Sequence, residues 1–159
     1  MAEISAREAT RDDLERLVEL YALLAEEMTP LSPLWPLADG LPEPVADELG
    51  CMLSDPEWVV VVGAIDGVVF GLLAARVESI LPQAGGRRVG SVRLVFVEQA
   101  AREVGIGEAM LAHALAGLRD RGIRTFDAHV LPGHRLVKNF FEAGGFKARS
   151  IVMSRYEDV

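Results

Sequence analysis

Apolar residues recur at helical spacing near the start of the chain. The residues at this spacing are Leu14, Leu17, Val18, Tyr21, Leu24 and Met28. They predict an amphipathic helix over residues 11–28. Thr10 and Asp13 precede the first turn with the separation of a capping box, in which each residue satisfies a free backbone N–H. The short segment over residues 3–8, in front of this helix, is expected to be a strand.

The middle of the chain consists of β-rich apolar runs. Two of them, residues 58–65 and 68–77, are separated by Asp66-Gly67, a strong signal for a hairpin. A loose basic turn over residues 83–88 leads to a further strand at residues 89–97, expected to be antiparallel to the one before it. Upstream, five prolines between residues 30 and 44 predict an irregular, exposed segment that contains Trp35, followed by a short helix over residues 44–54.

The last third alternates helix and strand. A helix is predicted over residues 105–121, with Gly122 placed to cap it, and a strand follows over residues 124–131. A short helix then ends at Gly144-Gly145, and residues 151–155 are expected to form a last strand. The order βααβββαβαβ predicts an α/β fold whose mixed, largely antiparallel sheet carries helices on both faces, as one domain over residues 1–159.

Charge and composition restrict the partners. The formal net charge of −8 repels phosphate backbones, so we expect no nucleic acid partner, whereas a cationic amine is favoured. The mean hydropathy of +0.24 indicates apolar surface that a second subunit covers, so a homodimer is expected. One cysteine and three histidines predict no metal site. Without a signal peptide or a long apolar run, a cytoplasmic protein with no membrane partner is the simple expectation.

The segment that links a strand to a helix near residue 105 has the composition of an anion site. Arg102, Gly105 and Gly107 lie where the chain turns, and glycines leave the amides of the first helical turn uncovered. Those amides and the helix dipole suit a pyrophosphate. From the spacing alone, a tight turn that binds nothing is equally compatible. A dinucleotide site is disfavoured because Met110 stands where its third glycine belongs.

Two motifs resemble those of the GNAT (GCN5-related N-acetyltransferase) superfamily. Residues 97–111 resemble its main acyl-CoA-binding motif, Q/R-x-x-G-x-G/A, with Arg102, Gly105 and Gly107 at the defining positions. Residues 134–146 resemble its second motif, which ends in an aromatic pair, a spacer and Gly-Phe. The beginning of the chain over residues 4–14 and the order of the elements are also similar to those of this family.

The resemblance implies acetyl-CoA as acyl donor and gives roles to residues. The backbone of Phe96 and Val97 would pair with the pantetheine arm, and His134 stands where the family often has a cofactor-binding Asn. Phe141 stands where the family often has a Tyr that protonates the departing thiolate, and it would contact the cofactor without donating a proton. The pyrophosphate would be held by the backbone amides of Arg102, Glu103, Val104, Gly105, Ile106, Gly107 and Glu108.

The implied activity is N-acetyl transfer to an amine by direct attack, and the alternative is a non-catalytic acyl-CoA-binding or regulatory module. Two candidate proton acceptors lie on predicted strands: His129, which alternates with Asp127, and Glu78. For each, a solvated or hydrogen-bonded polar group remains the simpler alternative. In the family that the chain resembles, the proline-rich segment often covers the acceptor site, so the acidic residues around it suggest a cationic acceptor, with a solvated acidic surface as the simpler alternative: Glu26, Glu27, Asp39, Glu43, Asp47 and Glu48. The sequence does not decide whether the acceptor is a small amine, an antibiotic, a peptide N-terminus or a lysine.

Overall fold

A five-stranded sheet forms the centre of the protein, whose computed structural model describes residues 1–157. Its strands lie side by side in chain order, and the first four are antiparallel to one another. The fifth strand runs parallel to the fourth, because a helix carries the chain across between them. The strands are β1 (Ile4–Glu8), β2 (Trp58–Ile65), β3 (Val68–Ser79), β4 (Arg88–Val97) and β5 (Phe126–Ala128).

Helices cover both faces of this sheet, as the sequence predicted. They are α1 (Leu14–Met28), α2 (Trp35–Ala38), α3 (Val45–Ser54), α4 (Ile106–Asp120) and α5 (Arg135–Ala143). The apolar sides of α1 and α3 pack on one face, where Leu17 and Leu49 meet Val62 of β2 in one buried cluster. On the other face, Met110 of α4 and Phe141 of α5 join a second buried cluster beneath the sheet. The sheet is therefore the middle layer of three.

Two glycines allow α4 to lie close to the sheet. Gly63 of β2 and Gly71 of β3 are direct neighbours across the hairpin. A methyl group at Gly63 would come within 2.4 Å of Ile106 Cγ2, and one at Gly71 within 2.8 Å of Met110 Cε. Because α4 begins at Ile106, this close contact fixes the position of the helix N-terminus against the sheet.

The capping box is confirmed, with the Thr10 backbone N–H donating to Asp13 Oδ2 at 2.7 Å. The first turn of the expected helix is a 3₁₀ turn over Arg11–Asp13, and α1 begins at Leu14. The proline-rich segment is less irregular and less exposed than predicted. It contains α2, and the Trp35 side chain is only 4% exposed because it packs against the Tyr21 ring.

Of the two strands expected at the end of the chain, one is shorter than predicted and the other is absent. The strand expected over residues 124–131 is reduced to Phe126–Ala128, because β4 offers only Gly90, Ser91 and Val92 as partners. The expected strand over residues 151–155 is absent, since those residues have no neighbouring strand to pair with. Within residues 1–157, no helix has the length and apolar character required to cross a membrane.

Candidate active site between strands β4 and β5

A bulge in β4 opens a gap in the sheet. Ala74 of β3 pairs with Leu94, but Ala75 pairs with Val92, so Arg93 has no partner in the ladder. Val92 is also the last residue of β4 that pairs with β5. From Arg93 to Val97, β4 is therefore paired with β3 alone, and its backbone on the side of β5 is open to a ligand.

The gap leads to the loop in front of α4, whose backbone leaves amide groups free. Glu103 has a φ of 67° and Gly105 a φ of 102°, left-handed conformations that turn the chain sharply into the helix. The first bond inside the helix joins the Ala109 amide to the Gly105 carbonyl at 3.0 Å. The preceding amides of Ile106, Gly107 and Glu108 thus have no acceptor in the helix, as expected for an anion site at a helix N-terminus.

Arg102 is held in this loop by three contacts. Its Nε donates to the Val97 carbonyl at 2.7 Å, and its Nη1 lies 2.9 Å from Oε1 of Glu27 on α1. Its guanidinium also lies 5.4 Å from the centre of the Phe96 ring. The cation is therefore fixed between the end of β4 and the free amides of α4.

These elements surround a cavity of about 320 Å³. Nine of the eleven residues predicted to bind the cofactor line it, namely Phe96, Val97, Arg102, Glu103, Gly105, Ile106, Gly107, Glu108 and His134. Val104 and Phe141 do not. The Val104 side chain is 52% exposed, and Phe141 is buried at 3% exposure, with its ring edge-on to Phe140 and Phe146.

Sequence reasoning missed several lining residues. Phe140, not Phe141, contributes the aromatic wall, and a methyl group at Gly107 would lie 3.0 Å from the Phe140 ring. The helical spacing of Leu136, Asn139 and Phe140 places the three on one side of α5, but it does not show which side faces the cavity. The other missed residues are Glu27, Val95, Ala101 and Val137. Glu27, which we had grouped with the acceptor-side carboxylates, belongs instead to this cavity.

His134 brings an unsatisfied nitrogen to the cavity. Its Nδ1 is buried without a hydrogen-bond partner, and its Nε2 lies 4.0 Å from Oε2 of Glu27. Burial lowers the pKa of the His134 imidazole; the Glu27 carboxylate opposes this shift and the Arg102 cation adds to it. At neutral pH the ring is neutral, and its Nδ1 stays a buried nitrogen without a partner within residues 1–157 of the protein.

A second polar group lies on the face of the sheet that α1 covers. Val77 and Val92 point into the core under α4, so the alternating residues Glu78 and Arg93 point to the face of α1. Arg93 Nη1 lies 2.9 Å from Glu78 Oε1, and Ser91 Oγ donates to Glu78 Oε2 at 3.2 Å. The structure thus places the predicted Glu78 at the level where the gap opens, held by a cation that sequence reasoning had not considered.

Two further residues join this group. Asp39, from the end of α2, lies 4.0 Å from Arg93 Nη2. Partial burial lowers the pKa of the His129 imidazole, Arg93 lowers it further, and three carboxylates, those of Glu78, Asp39 and Asp127, oppose the shift. His129 is therefore close to this cluster, as an uncharged base at neutral pH.

Asp127 is not hydrogen-bonded to His129, although its charge raises the pKa of that imidazole. Both carboxylate oxygens of Asp127 accept hydrogen bonds from Arg149, with the Nε to Oδ1 distance at 2.7 Å. The Asp127–His129 dyad is thus replaced by an Asp127–Arg149 ion pair. Over residues 1–157, no group of three or more His, Cys, Asp or Glu side chains is arranged to hold a metal ion.

Comparison with known proteins now decides the family. The sequence profile of the acetyltransferase (GNAT) family matches residues 17–146. The chain belongs to this family. A mycothiol acetyltransferase of Cellulomonas flavigena is 32% identical over 117 residues, which cover 72% of this chain and 31% of that protein. The chain therefore spans about a third of the length of this curated relative.

Solved structures share the fold of this GNAT chain. A transcriptional regulator from Bacillus halodurans superimposes with a TM-score of 0.76 at 22% identity, covering 98% of this chain and 100% of that one. AAC(6')-Iy, in complex with the bisubstrate analogue CoA-S-monomethyl-acetylneamine, gives a TM-score of 0.74 at 18% identity, covering 99% of each chain. The family and the fold expected from the two sequence motifs are confirmed.

Proposed function

We propose that the protein transfers an acetyl group from acetyl-CoA to an amine, by direct attack of the neutral amine on the thioester. The observation that carries this proposal is the continuity of the site. The open edge of β4 runs from the bulge at Arg93 toward the free amides at the start of α4, and from Val95 onward it lines one cavity with them. CoA has the same sequence of parts, an acyl thioester, an amide-bearing arm and a pyrophosphate.

Each part of this donor has a matching group in the cavity. The amides of Ile106, Gly107 and Glu108, together with Arg102, would hold the pyrophosphate. The open backbone between Leu94 and Val97 offers hydrogen bonds to the pantetheine amides, in the manner of an added strand. The CoA moiety in the ligand of AAC(6')-Iy, a protein of the same fold, supports this assignment.

The amine would approach from the face that carries Glu78 and His129. We infer that one of these two groups accepts the proton that the amine loses, because both lie where the gap opens. Asp39 and Glu78 place two carboxylates beside one arginine at this point, which favours a cationic acceptor. A backbone amide at the bulge near Arg93 would stabilise the developing oxyanion.

The buried Phe141 favours a second candidate function, an acyl-CoA-binding module without catalysis. At 3% exposure, its ring supplies no proton to a leaving thiolate. A thiolate also leaves unaided at neutral pH, because the thiol has a pKa of about 8.5. The structure of the site is thus compatible with turnover, but the general acid frequently found in this family is missing.

Release of CoA thiol distinguishes the two functions. The protein is incubated with acetyl-CoA and a panel of amines that includes aminoglycosides, amino-acid amides, lysine peptides and polyamines, while calorimetry measures CoA binding in parallel. We expect CoA binding together with amine-dependent thiol release. Binding without release for every amine would support the module, and absence of binding at millimolar CoA would contradict both functions.

We also propose that the protein is a homodimer. The support comes from large apolar side chains that remain mostly exposed in the single chain, among them Leu37 at 85% and Val152 at 86%. Light scattering at micromolar concentration tests the proposal, and a mass of one chain would contradict it. Two expectations remain predictions, namely a cytoplasmic location and a single domain over residues 1–159.

A further inference from the structure

The Arg93 guanidinium has spare hydrogen-bond donors at the point where the gap opens. A guanidinium carries five N–H groups. Within residues 1–157, only Nη1 of Arg93 donates a hydrogen bond, to Glu78 Oε1 at 2.9 Å. Asp39 Oδ1 lies 4.0 Å from Nη2, which is beyond hydrogen-bond distance. The Arg93 side chain is 29% exposed, so a ligand that enters from the face of α1 can reach the remaining donors.

The spare donors include the edge of the guanidinium that suits a carboxylate. Nε and Nη2 of an arginine can donate two parallel hydrogen bonds to the two oxygens of one carboxylate. Arg149 has this geometry, because its Nε and Nη2 donate to both oxygens of Asp127. Asp127 pairs with Ser91, two residues before Arg93, so the two arginines serve the same region of the sheet. The Nε–Nη2 edge of Arg93 is thus suited to a carboxylate that comes with a ligand.

Groups of both signs meet at this point. The carboxylates of Glu78 and Asp39 attract an ammonium group, whereas the guanidinium between them repels it. An acceptor that is only cationic would therefore meet a like charge at Arg93, beside the bulge where the thioester is expected. A zwitterion fits better, because its ammonium faces the two carboxylates while its own carboxylate faces Arg93.

From this arrangement we propose that the acceptor is a free amino acid, whose carboxylate binds the Nε–Nη2 edge of Arg93. The proposal rests on the acetyl transfer proposed above and narrows its acceptor from any cationic amine to one that also carries a carboxylate. The neutral amino group forms a C–N bond with the acetyl carbon, the C–S bond breaks, and CoA leaves as the thiolate. Glu78 or His129 takes the proton that the nitrogen loses, and the product is an N-acetyl amino acid. Arg93 determines specificity and moves no proton.

Matched acceptors test the proposal. Each amino acid of a panel is compared with its decarboxylated amine and its carboxamide, and the rate of thiol release is expressed per concentration of neutral amine. We expect kcat/KM for the best amino acid to exceed that of its two analogues by about 10–100-fold, as a hydrogen bond to a charged group supports. Equal or higher values for the amines or carboxamides would overturn the amino-acid proposal and leave acetyl transfer. Absence of thiol release with every acceptor, although CoA binds, would contradict acetyl transfer itself and this proposal with it.

Variants of Arg93 test the residue itself. In Arg93→Met, the ratio of kcat/KM for the amino acid to kcat/KM for its decarboxylated amine should fall about tenfold or more. Arg93→Lys keeps the charge but not the planar fork, so it should keep part of this preference. If Arg93 served only to hold Glu78 in place, both rates would fall together, and an unchanged ratio would overturn its role in specificity.

Arg76→Met is the matched control. Arg76 lies on β3 two residues before Glu78 and therefore on the same face of the sheet. Its guanidinium lies over the Trp58 ring of β2, 5.8 Å from the ring centre, on the side away from β5. The ratio of the two kcat/KM values should therefore stay as in the wild type. An equal fall in Arg76→Met and Arg93→Met would show a general effect of positive charge and overturn binding at the Nε–Nη2 edge. Calorimetry with CoA reports separately on the donor site of each variant.

Discussion

The guanidinium of Arg102 and the carboxylate of Glu27 face each other in the cofactor cavity, with 2.9 Å between Nη1 and Oε1. Glu27 lies on α1 and Arg102 follows β4, so the ion pair joins a helix on one face of the sheet to the loop after the fourth strand. An anionic ligand that enters the cavity meets both a cation that attracts it and a carboxylate that repels it. The affinity for CoA therefore depends on the balance between the two.

Arg102→Ala should weaken CoA binding by at least tenfold. The substitution removes the cation and the hydrogen bond to the Val97 carbonyl that orients the loop, and a hydrogen bond to a charged group contributes about 1.5–3 kcal/mol. Isothermal titration calorimetry gives the dissociation constant. Arg88→Ala is the matched control, because Arg88 pairs with exposed Glu57 outside the cavity and should leave the affinity unchanged.

Glu27→Gln should act in the opposite direction. The amide keeps the size of the side chain but removes the negative charge, so CoA should bind more tightly, and more so at low salt. Unchanged affinity in both the Arg102 and the Glu27 variant would show that the pyrophosphate is held by the backbone amides alone.

Gly107 and Gly117 allow a comparison on one helix. A side chain at Gly107 would meet the Phe140 ring at 3.0 Å, whereas one at Gly117 would make ordinary contacts at 3.5 and 3.6 Å. Gly107→Val should therefore abolish the rise in melting temperature with CoA, since the added bulk disturbs the cavity wall. At 100 times its dissociation constant, CoA stabilises the wild type by about 2.7 kcal/mol.

Gly117→Ala should keep this ligand effect in full. It should also raise the stability of the unliganded protein by roughly 0.5–1 kcal/mol, because alanine favours a helix over glycine. Differential scanning fluorimetry with and without CoA measures both variants. A full CoA shift in Gly107→Val would remove Gly107 from the site.

Phe141→Tyr tests whether a missing general acid can be restored. The Phe141 ring lies edge-on to Phe140 and Phe146 in the core, so an added hydroxyl would be buried without a partner. We expect a loss of roughly 1–3 kcal/mol in unfolding free energy and no gain in kcat. Urea unfolding and thiol release are the two measurements. A kcat that rises by the 10²–10⁴-fold typical of general acid help would instead show that the phenol reaches the thioester.

The fold was largely readable from the sequence because its elements have strong local signals. The helical spacing from Leu14 to Met28 and the Asp66-Gly67 turn each predicted an element that the structure contains. The end of the chain was misread because a strand also requires a partner. Ile151 and Val152 have the composition of a strand, but no edge of their own chain pairs with them.

The cofactor side of the site was predictable where backbone geometry decides it. Gly105 and Gly107 mark the loop by their residue type alone. The contacts between side chains were harder to predict from the sequence. Glu27 and Arg102 are 75 residues apart, and the bulge at Arg93 has no sequence signature. Phe140 and Phe141 are adjacent, and only the orientation of α5 shows which of them lines the cavity.

His134 should make the protein less stable as the pH falls below neutrality. In the folded protein the pKa of the His134 imidazole is lowered, chiefly by burial, below the value of about 6.5 that it has in the unfolded chain. Between these two values the unfolded state binds more protons than the folded state, so the free energy of unfolding decreases as the pH falls. Above pH 6.5, both states are neutral at this residue and the effect vanishes. Carboxylates such as Asp13, whose pKa is lowered by Arg7, act only at more acidic pH.

Urea unfolding between pH 7 and pH 5 should therefore show a shallower decline for His134→Gln than for the wild type. His129, whose folded pKa is also lowered, should account for part of the remaining slope, and the double variant should be flatter still. His113→Gln, at an exposed position on α4, is the control for loss of a histidine as such. If the decline of stability with pH is as steep in His134→Gln as in the wild type, then His134 takes up protons as readily in the folded state as in the unfolded chain.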